Sequence, residues 1–199
     1  VGKTALVEGL AYNIVNGNVP TFLENTEIWE LDCGALIAGA TYKGEIEDRL
    51  KKLISELRQI EKVILFIDEI HILLDAKQGN SGAVNILKPE LSKGDLTVIG
   101  ATTQDEYRKV VEPDSALNRR FELLTLAEPN MDDAVTMVGF VKENYETYHN
   151  LKVSDEALSN CVRMAKRYVK DRRLPDSAID LLDRTMAAVK MVNETTAGE

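Results

Sequence analysis

The sequence is short of the residues from which several kinds of site are built. Its two cysteines, Cys33 and Cys161, lie far apart, each in an apolar run. That placement argues for buried free thiols over a disulfide or a thiolate metal site. With only two histidines in the chain, His71 has no partner for a metal site, and a structural or interface role is its reading. Basic residues are outnumbered, 24 Lys and Arg against 33 Asp and Glu, for a formal net charge of −9. A surface built mainly to bind nucleic acid would need the opposite excess to neutralise phosphates, although a local basic patch stays open. No apolar run approaches the roughly 20 residues of a membrane span, and no signal peptide is visible. No membrane partner is therefore expected, and cytoplasmic residence follows by default, with a targeting signal upstream of Val1 left open. Internal repeats and low-complexity tracts are also missing.

What remains is an ordinary globular composition: 199 residues, 44% hydrophobic and 29% charged, enough for one domain and a small satellite. Four segments read as strands. Residues 27–32 alternate apolar and polar, while Val63-Ile64-Leu65-Phe66-Ile67 is continuously apolar, as in a strand buried on both faces of a parallel sheet. Residues 96–100 and 121–126 complete the set. Helical periodicity over 4–16 and 44–61 alternates with them, which predicts a three-layer α/β fold around a parallel sheet. Beyond Glu128-Pro129 the strands stop, and helical patterns run over 131–146, 154–169 and 175–192. The expected organisation is an α/β domain over 1–128 and a small all-helical domain over 129–199.

Four short motifs carry the chemistry. Val1-Gly2-Lys3-Thr4 matches the close of the phosphate-binding loop G-x-x-x-x-G-K-[ST], in which backbone N–H groups cradle phosphates, Lys reaches the terminal ones and the hydroxyl holds Mg²⁺. The first glycine of that loop and the strand before it are expected upstream of Val1. Asp68-Glu69 ends the apolar strand 63–67 and so sits at the C-terminal edge of a parallel sheet, where ligands bind. Asp68 can position Mg²⁺ and Glu69 can polarise an attacking water; an acidic strand-to-loop turn is the plain alternative. Gly100-Ala101-Thr102-Thr103 ends the next strand. One of its hydroxyls can touch a γ-phosphate or the attacking water, and a helix cap suits the other. Arg119-Arg120 before residue 121 reads as surface charge or, in a nucleotide-hydrolysing ring, as fingers reaching a neighbour's γ-phosphate.

Taken in order, Gly-Lys-Thr-Ala, Ile-Leu-Phe-Ile-Asp-Glu-Ile-His, Gly-Ala-Thr-Thr-x-Asp-Glu-Tyr-Arg, Arg-Arg-Phe and Arg-Arg-Leu-Pro-Asp-x-Ala-Ile-Asp-Leu closely resemble the first ATPase domain of the Clp-type AAA+ unfoldases, the ClpB and ClpC class. The resemblance covers nearly the whole chain. It implies a P-loop NTPase subdomain with a helical lid, a homo-hexameric ring, ATP and Mg²⁺ as cofactors, and ATP-driven threading of unfolded or aggregated polypeptide. It also implies service either as a chaperone with a co-chaperone system or as the ATPase of a Clp-type peptidase. By the same resemblance Gly2, Lys3, Thr4 and Asp68 bind nucleotide and Mg²⁺, Glu69 is the catalytic carboxylate and Thr103 the sensor. Arg119 and Arg120 act in trans, and Pro175 and Ile179 pack near the adenine; no sensor arginine is assigned on the lid.

The segment 34–45 resembles the family's substrate pore loop, with Tyr42 as the gripping aromatic and Lys43 as the adjacent charge; a tyrosine packed under a helix N-terminus is the alternative. A second polar loop, 75–82, is expected at the pore or a subunit interface. Near the C-terminus, Leu182-Asp183-Arg184-Thr185 departs from an acidic-Ala pattern common among the relatives. A DNA-handling AAA+ ATPase of the clamp-loader or helicase-loader type is the competing class, disfavoured by the acidic charge and by Tyr42. A nucleotide-binding module that no longer hydrolyses is a third, opposed by the intact Asp68-Glu69, Thr103 and Arg119-Arg120. The 199-residue piece alone is expected to turn over little ATP.

Overall fold

The computed structural model describes residues 2–39, 44–75, 81–94 and 96–196, which fall into two units, Gly2–Leu124 and Thr125–Glu199. In the first unit, three parallel strands β1 (Glu27–Leu31), β2 (Val63–Ile67) and β3 (Thr97–Gly100) lie in the order β1-β2-β3. Helices α1 (Lys3–Val15), α2 (Cys33–Ile37), α3 (Glu45–Leu57), α4 (His71–Leu74), α5 (Ser81–Lys93), α6 (Gln104–Glu106) and α7 (Ser115–Asn118) surround them, with a π-turn over Tyr107–Val111.

The central strand β2 is apolar throughout because both of its faces are covered. On one face Phe66 packs with Val7 of α1, Ile28 and Ala101. On the other, Leu65 and Ile67 meet Leu50, Ile54 and Leu57 of α3 and Leu87 of α5. Leu50, Ile54 and Leu57 recur at i, i+4 and i+7, one stripe of a helix whose first turn carries Glu45, Glu47 and Asp48 toward its positive dipole end. Burying each such side chain stabilises the unit by about 1.5–3 kcal/mol.

Three expectations are corrected. Residues 121–126 form no strand. No ladder partner stands beside them among the described residues, and Leu124 is 78% exposed. Residues 34–37, read as part of a loop, belong to α2, which Asp32 caps by accepting from the Ala35 N–H at 3.0 Å. Helix α5, carrying Pro89 inside it, begins at Ser81 where a loop was expected; the buried Ala83, Val84 and Leu87 hold it against the core.

The second unit is a three-helix assembly of α8 (Met131–His149), α9 (Asp155–Tyr168) and α10 (Asp176–Thr196). Asn130 caps α8 and Ser154 caps α9, each accepting a first-turn N–H, and Asn150 ends α8 in the left-handed region at φ 55°. Fully buried Ala134, Ala165 and Ala178 let the helices approach, with Val138, Val162 and Leu174 filling the core between them. The departure at 182–185 has a structural account. Leu182 is core, Asp183 Oδ1 lies 2.6 Å from Nε2 of the buried His149, and Arg184 pairs with Asp180 at 3.1 Å. Both cysteines are free thiols, Cys33 buried and Cys161 half-buried.

Candidate nucleotide site

The first unit brings the first two motifs into direct side-chain contact. Thr4 Oγ1 donates to Asp68 Oδ2 at 3.2 Å across 64 residues of sequence. Thr4 stands in the first turn of α1, and Asp68 follows the last residue of β2, so the contact joins a helix N-terminus to the C-terminal edge of the sheet. Gly2, at φ 77°, occupies the left-handed region that favours glycine, and no side chain among the described residues caps the helix. The first-turn N–H groups are thus left for an anion, with the half-buried Lys3 beside them.

The hydroxyl of Thr4 and the carboxylate of Asp68 are adjacent hard oxygen donors of the kind Mg²⁺ takes when phosphates and waters complete its shell. No group of three or more acidic, His or Cys side chains able to hold a metal exists among the described residues. A two-oxygen site therefore fits a cation that arrives with phosphate better than a resident structural metal.

Glu69 is exposed and adopts φ 51°, in the left-handed region that a branched or long side chain occupies only under constraint. Its own N–H donates to Asp68 Oδ1 at 2.9 Å. An acidic cleft of about 580 Å³ opens beside it, lined by Glu30, Asp32, Cys33, Asp68 and Glu69 among others. Cys33 is a cleft residue that composition alone read only as a buried thiol. Its Sγ–H donates to the Asp68 carbonyl at 3.5 Å. Burial, reinforced by the charges of Asp32, Asp68 and Glu69, pushes its pKa up to about 11, so it stays protonated.

The Thr102-Thr103 pair divides its labour. Thr103 Oγ1 accepts from the Glu106 N–H at 3.2 Å and caps α6, whereas Thr102 Oγ1 shares a 3.0 Å hydrogen bond with His71 Nδ1. The residue expected to sense nucleotide is thus the cap, and its neighbour is tied to the helix after Glu69. Arg119 and Arg120 follow α7, which Asp114 caps by accepting from the Ala116 and Leu117 N–H groups. Both arginines are exposed; Arg120 Nη1 donates to the Ala116 carbonyl at 2.5 Å, and the Arg119 guanidinium has no polar partner among the described residues. Pro175 and Ile179 lie in the second unit at the start of α10, where the Pro175 carbonyl accepts from the Ala178 and Ile179 N–H groups. Tyr42, Lys43 and residues 76–80 lie outside the described residues.

Comparison with known proteins agrees with this geometry. The model of the ATPase family associated with various cellular activities (AAA) matches residues 1–128, and an AAA lid domain model matches 130–199. A chaperone protein ClpB of Porphyromonas gingivalis is 50% identical over 194 residues, covering 96% of this chain and 22% of that protein. An ATP-dependent Clp protease ATP-binding subunit ClpC of Staphylococcus aureus is 48% identical over 198 residues, covering 98% and 24%. The chain therefore spans about a quarter of the length of these relatives. A cryo-EM structure of Hsp104 with ATPγS and FITC casein superposes with a TM-score of 0.90 at 44% identity, covering 98% of this chain and 34% of the other. The Hsp104–ADP complex of S. cerevisiae matches equally well. On its family models, its parallel sheet and its juxtaposed Gly-Lys-Thr and Asp-Glu motifs, the chain belongs to the AAA family of ATPases.

Proposed function

We propose that this chain is the nucleotide-hydrolysing domain, α/β over 1–128 and lid over 129–199, of a homo-hexameric protein unfoldase that threads polypeptide through a central pore. The contact between Thr4 and Asp68 carries the reading, because it assembles a phosphate-binding helix N-terminus and a metal-positioning carboxylate at one sheet edge. Gly2 and Lys3 bind the phosphates of ATP through backbone and ammonium, and Thr4 and Asp68 hold Mg²⁺. When bound, Mg²⁺ neutralises charge on the phosphate oxygens. Glu69 orients and deprotonates the attacking water from the exposed end of its turn. Thr103, whose oxygen caps α6 and whose O–H remains able to donate, senses the γ-phosphate. Arg119 and Arg120, both exposed after α7, serve a neighbouring subunit's site, where a guanidinium stabilises transition-state charge; Arg120 does so on leaving the Ala116 carbonyl. Pro175 and Ile179 pack near the adenine, and Tyr42 with Lys43 grips substrate.

Relatives whose names describe a chaperone and a Clp protease ATP-binding subunit, and a homologue solved with casein, support polypeptide as substrate and a Clp-type peptidase or co-chaperone as partner. The test is ATPase stimulation in the full-length protein. Unfolded casein should raise the steady-state rate while duplex and single-stranded DNA leave it unchanged; stimulation by DNA alone contradicts the reading.

A further inference from the structure

The left-handed Glu69 is held by one short segment of a neighbouring strand. Ala101, just past β3, brackets the Asp68-Glu69 turn with both of its backbone groups: its N–H donates to the Ile67 carbonyl at 2.9 Å and its carbonyl accepts from the Ile70 N–H at 3.0 Å. The residue before it, Gly100, lies directly under Ile70, where an added Cβ would stand 2.7 Å from Ile70 Cδ1 and 3.0 Å from Cγ2. The residue after it, Thr102, bonds His71 Nδ1 at 3.0 Å. Three consecutive residues, Gly100, Ala101 and Thr102, thus contact Ile67 before the Asp68-Glu69 turn and Ile70 and His71 after it. The backbone rungs hold whatever side chains are present, so the Thr102–His71 bond is the side-chain contribution to the grip.

Strain persists only where the surroundings over-determine it, and here the surroundings are named. We infer that Thr102 and His71 are positioning residues for Glu69: their hydrogen bond fixes the turn that aims the carboxylate, and couples it to the strand end whose next residue, Thr103, caps α6. The inference rests on Glu69 as the catalytic carboxylate. It also assigns a role to His71 that needs no metal and no contact with nucleotide.

The test is made in the full-length protein with Thr102→Val, His71→Ala, their combination and Thr102→Ser. Loss of one part-buried hydrogen bond lowers kcat about tenfold in Thr102→Val and His71→Ala, while the affinity for a fluorescent ADP analogue stays as in the parent. The double variant is no slower than the slower single variant, because both remove the same link. Thr102→Ser, which keeps the hydroxyl, recovers the rate. An unchanged kcat in Thr102→Val overturns the inference, as does a lost rate that serine fails to recover or a nucleotide affinity that falls in the same proportion. Glu69→Gln, measured alongside, separates the two layers. If it hydrolyses at the parent rate, the role of Glu69 itself is wrong; if it is inactive while Thr102→Val is unimpaired, only the positioning inference fails.

Discussion

Thr4 Oγ1 stands 3.2 Å from Asp68 Oδ2, and this one hydrogen bond links the two halves of the site. It predicts that either partner is needed for metal-dependent nucleotide binding. Asp68→Asn should weaken Mg²⁺-ATP by about 1.5–3 kcal/mol, one to two decades in Kd, since a charge-assisted ligand is lost. Titration of ATP with and without Mg²⁺ checks this: the variant's loss should vanish when Mg²⁺ is omitted, and an equal loss in both conditions would count against a metal role.

The backbone of Glu69 predicts a trade between stability and rate. A non-glycine residue in the left-handed region costs roughly 1–2 kcal/mol, and asparagine tolerates it better than glutamate. Glu69→Asn should therefore raise stability by about 0.5–1 kcal/mol while hydrolysis collapses. A lower thermal midpoint for the variant would contradict the strain.

Gly100→Ala should act in the opposite direction. The new methyl meets Ile70, which is 4% exposed and cannot swing away into solvent. Overpacking of this kind costs about 1–3 kcal/mol. Chemical denaturation reads the cost, and a variant as stable as the parent would mean that Ile70 yields freely.

Acid should loosen the second unit through Glu128. Its Oε1 accepts from Lys166 Nζ at 2.7 Å and from the Leu174 N–H at 3.1 Å. The Lys166 hydrogen bond first, then the Leu174 N–H, hold its carboxyl below the ordinary value of 4.5. The folded-state pKa being depressed, the stabilisation is present above the unfolded value and is lost as pH falls through the folded one. The thermal midpoints of the parent and Glu128→Gln should converge between neutral pH and pH values below that range. A gap that persists undiminished into acid would place the effect elsewhere.

Much of this was legible in the chain because the signals were local. The apolar run 63–67 announced a strand buried on both faces, and Asp68-Glu69 was read as following its C-terminal end; both follow from residue type and spacing. The failures were of non-local information. A ladder partner, which residues 121–126 lack among the described residues, cannot be read from their own alternation. The start of α5 at Ser81, within a segment read as loop to residue 82, rests on the burial of Ala83, Val84 and Leu87 against residues far off in sequence. Nothing in the string Thr102-Thr103 said which hydroxyl would cap α6 and which would reach His71, since that depends on where β3 ends relative to the β2 turn. Cys33 was read correctly as a buried thiol, but its place against the Asp68 carbonyl arises only once β1 and β2 pair in register.

The central claim is that Glu69 performs the hydrolytic step at a site able to bind nucleotide without it, and Glu69→Gln in the full-length protein addresses it most directly. The amide preserves size and removes the base, so ATP affinity should remain that of the parent while kcat falls about a hundredfold or more. Hydrolysis at the parent rate would contradict the account.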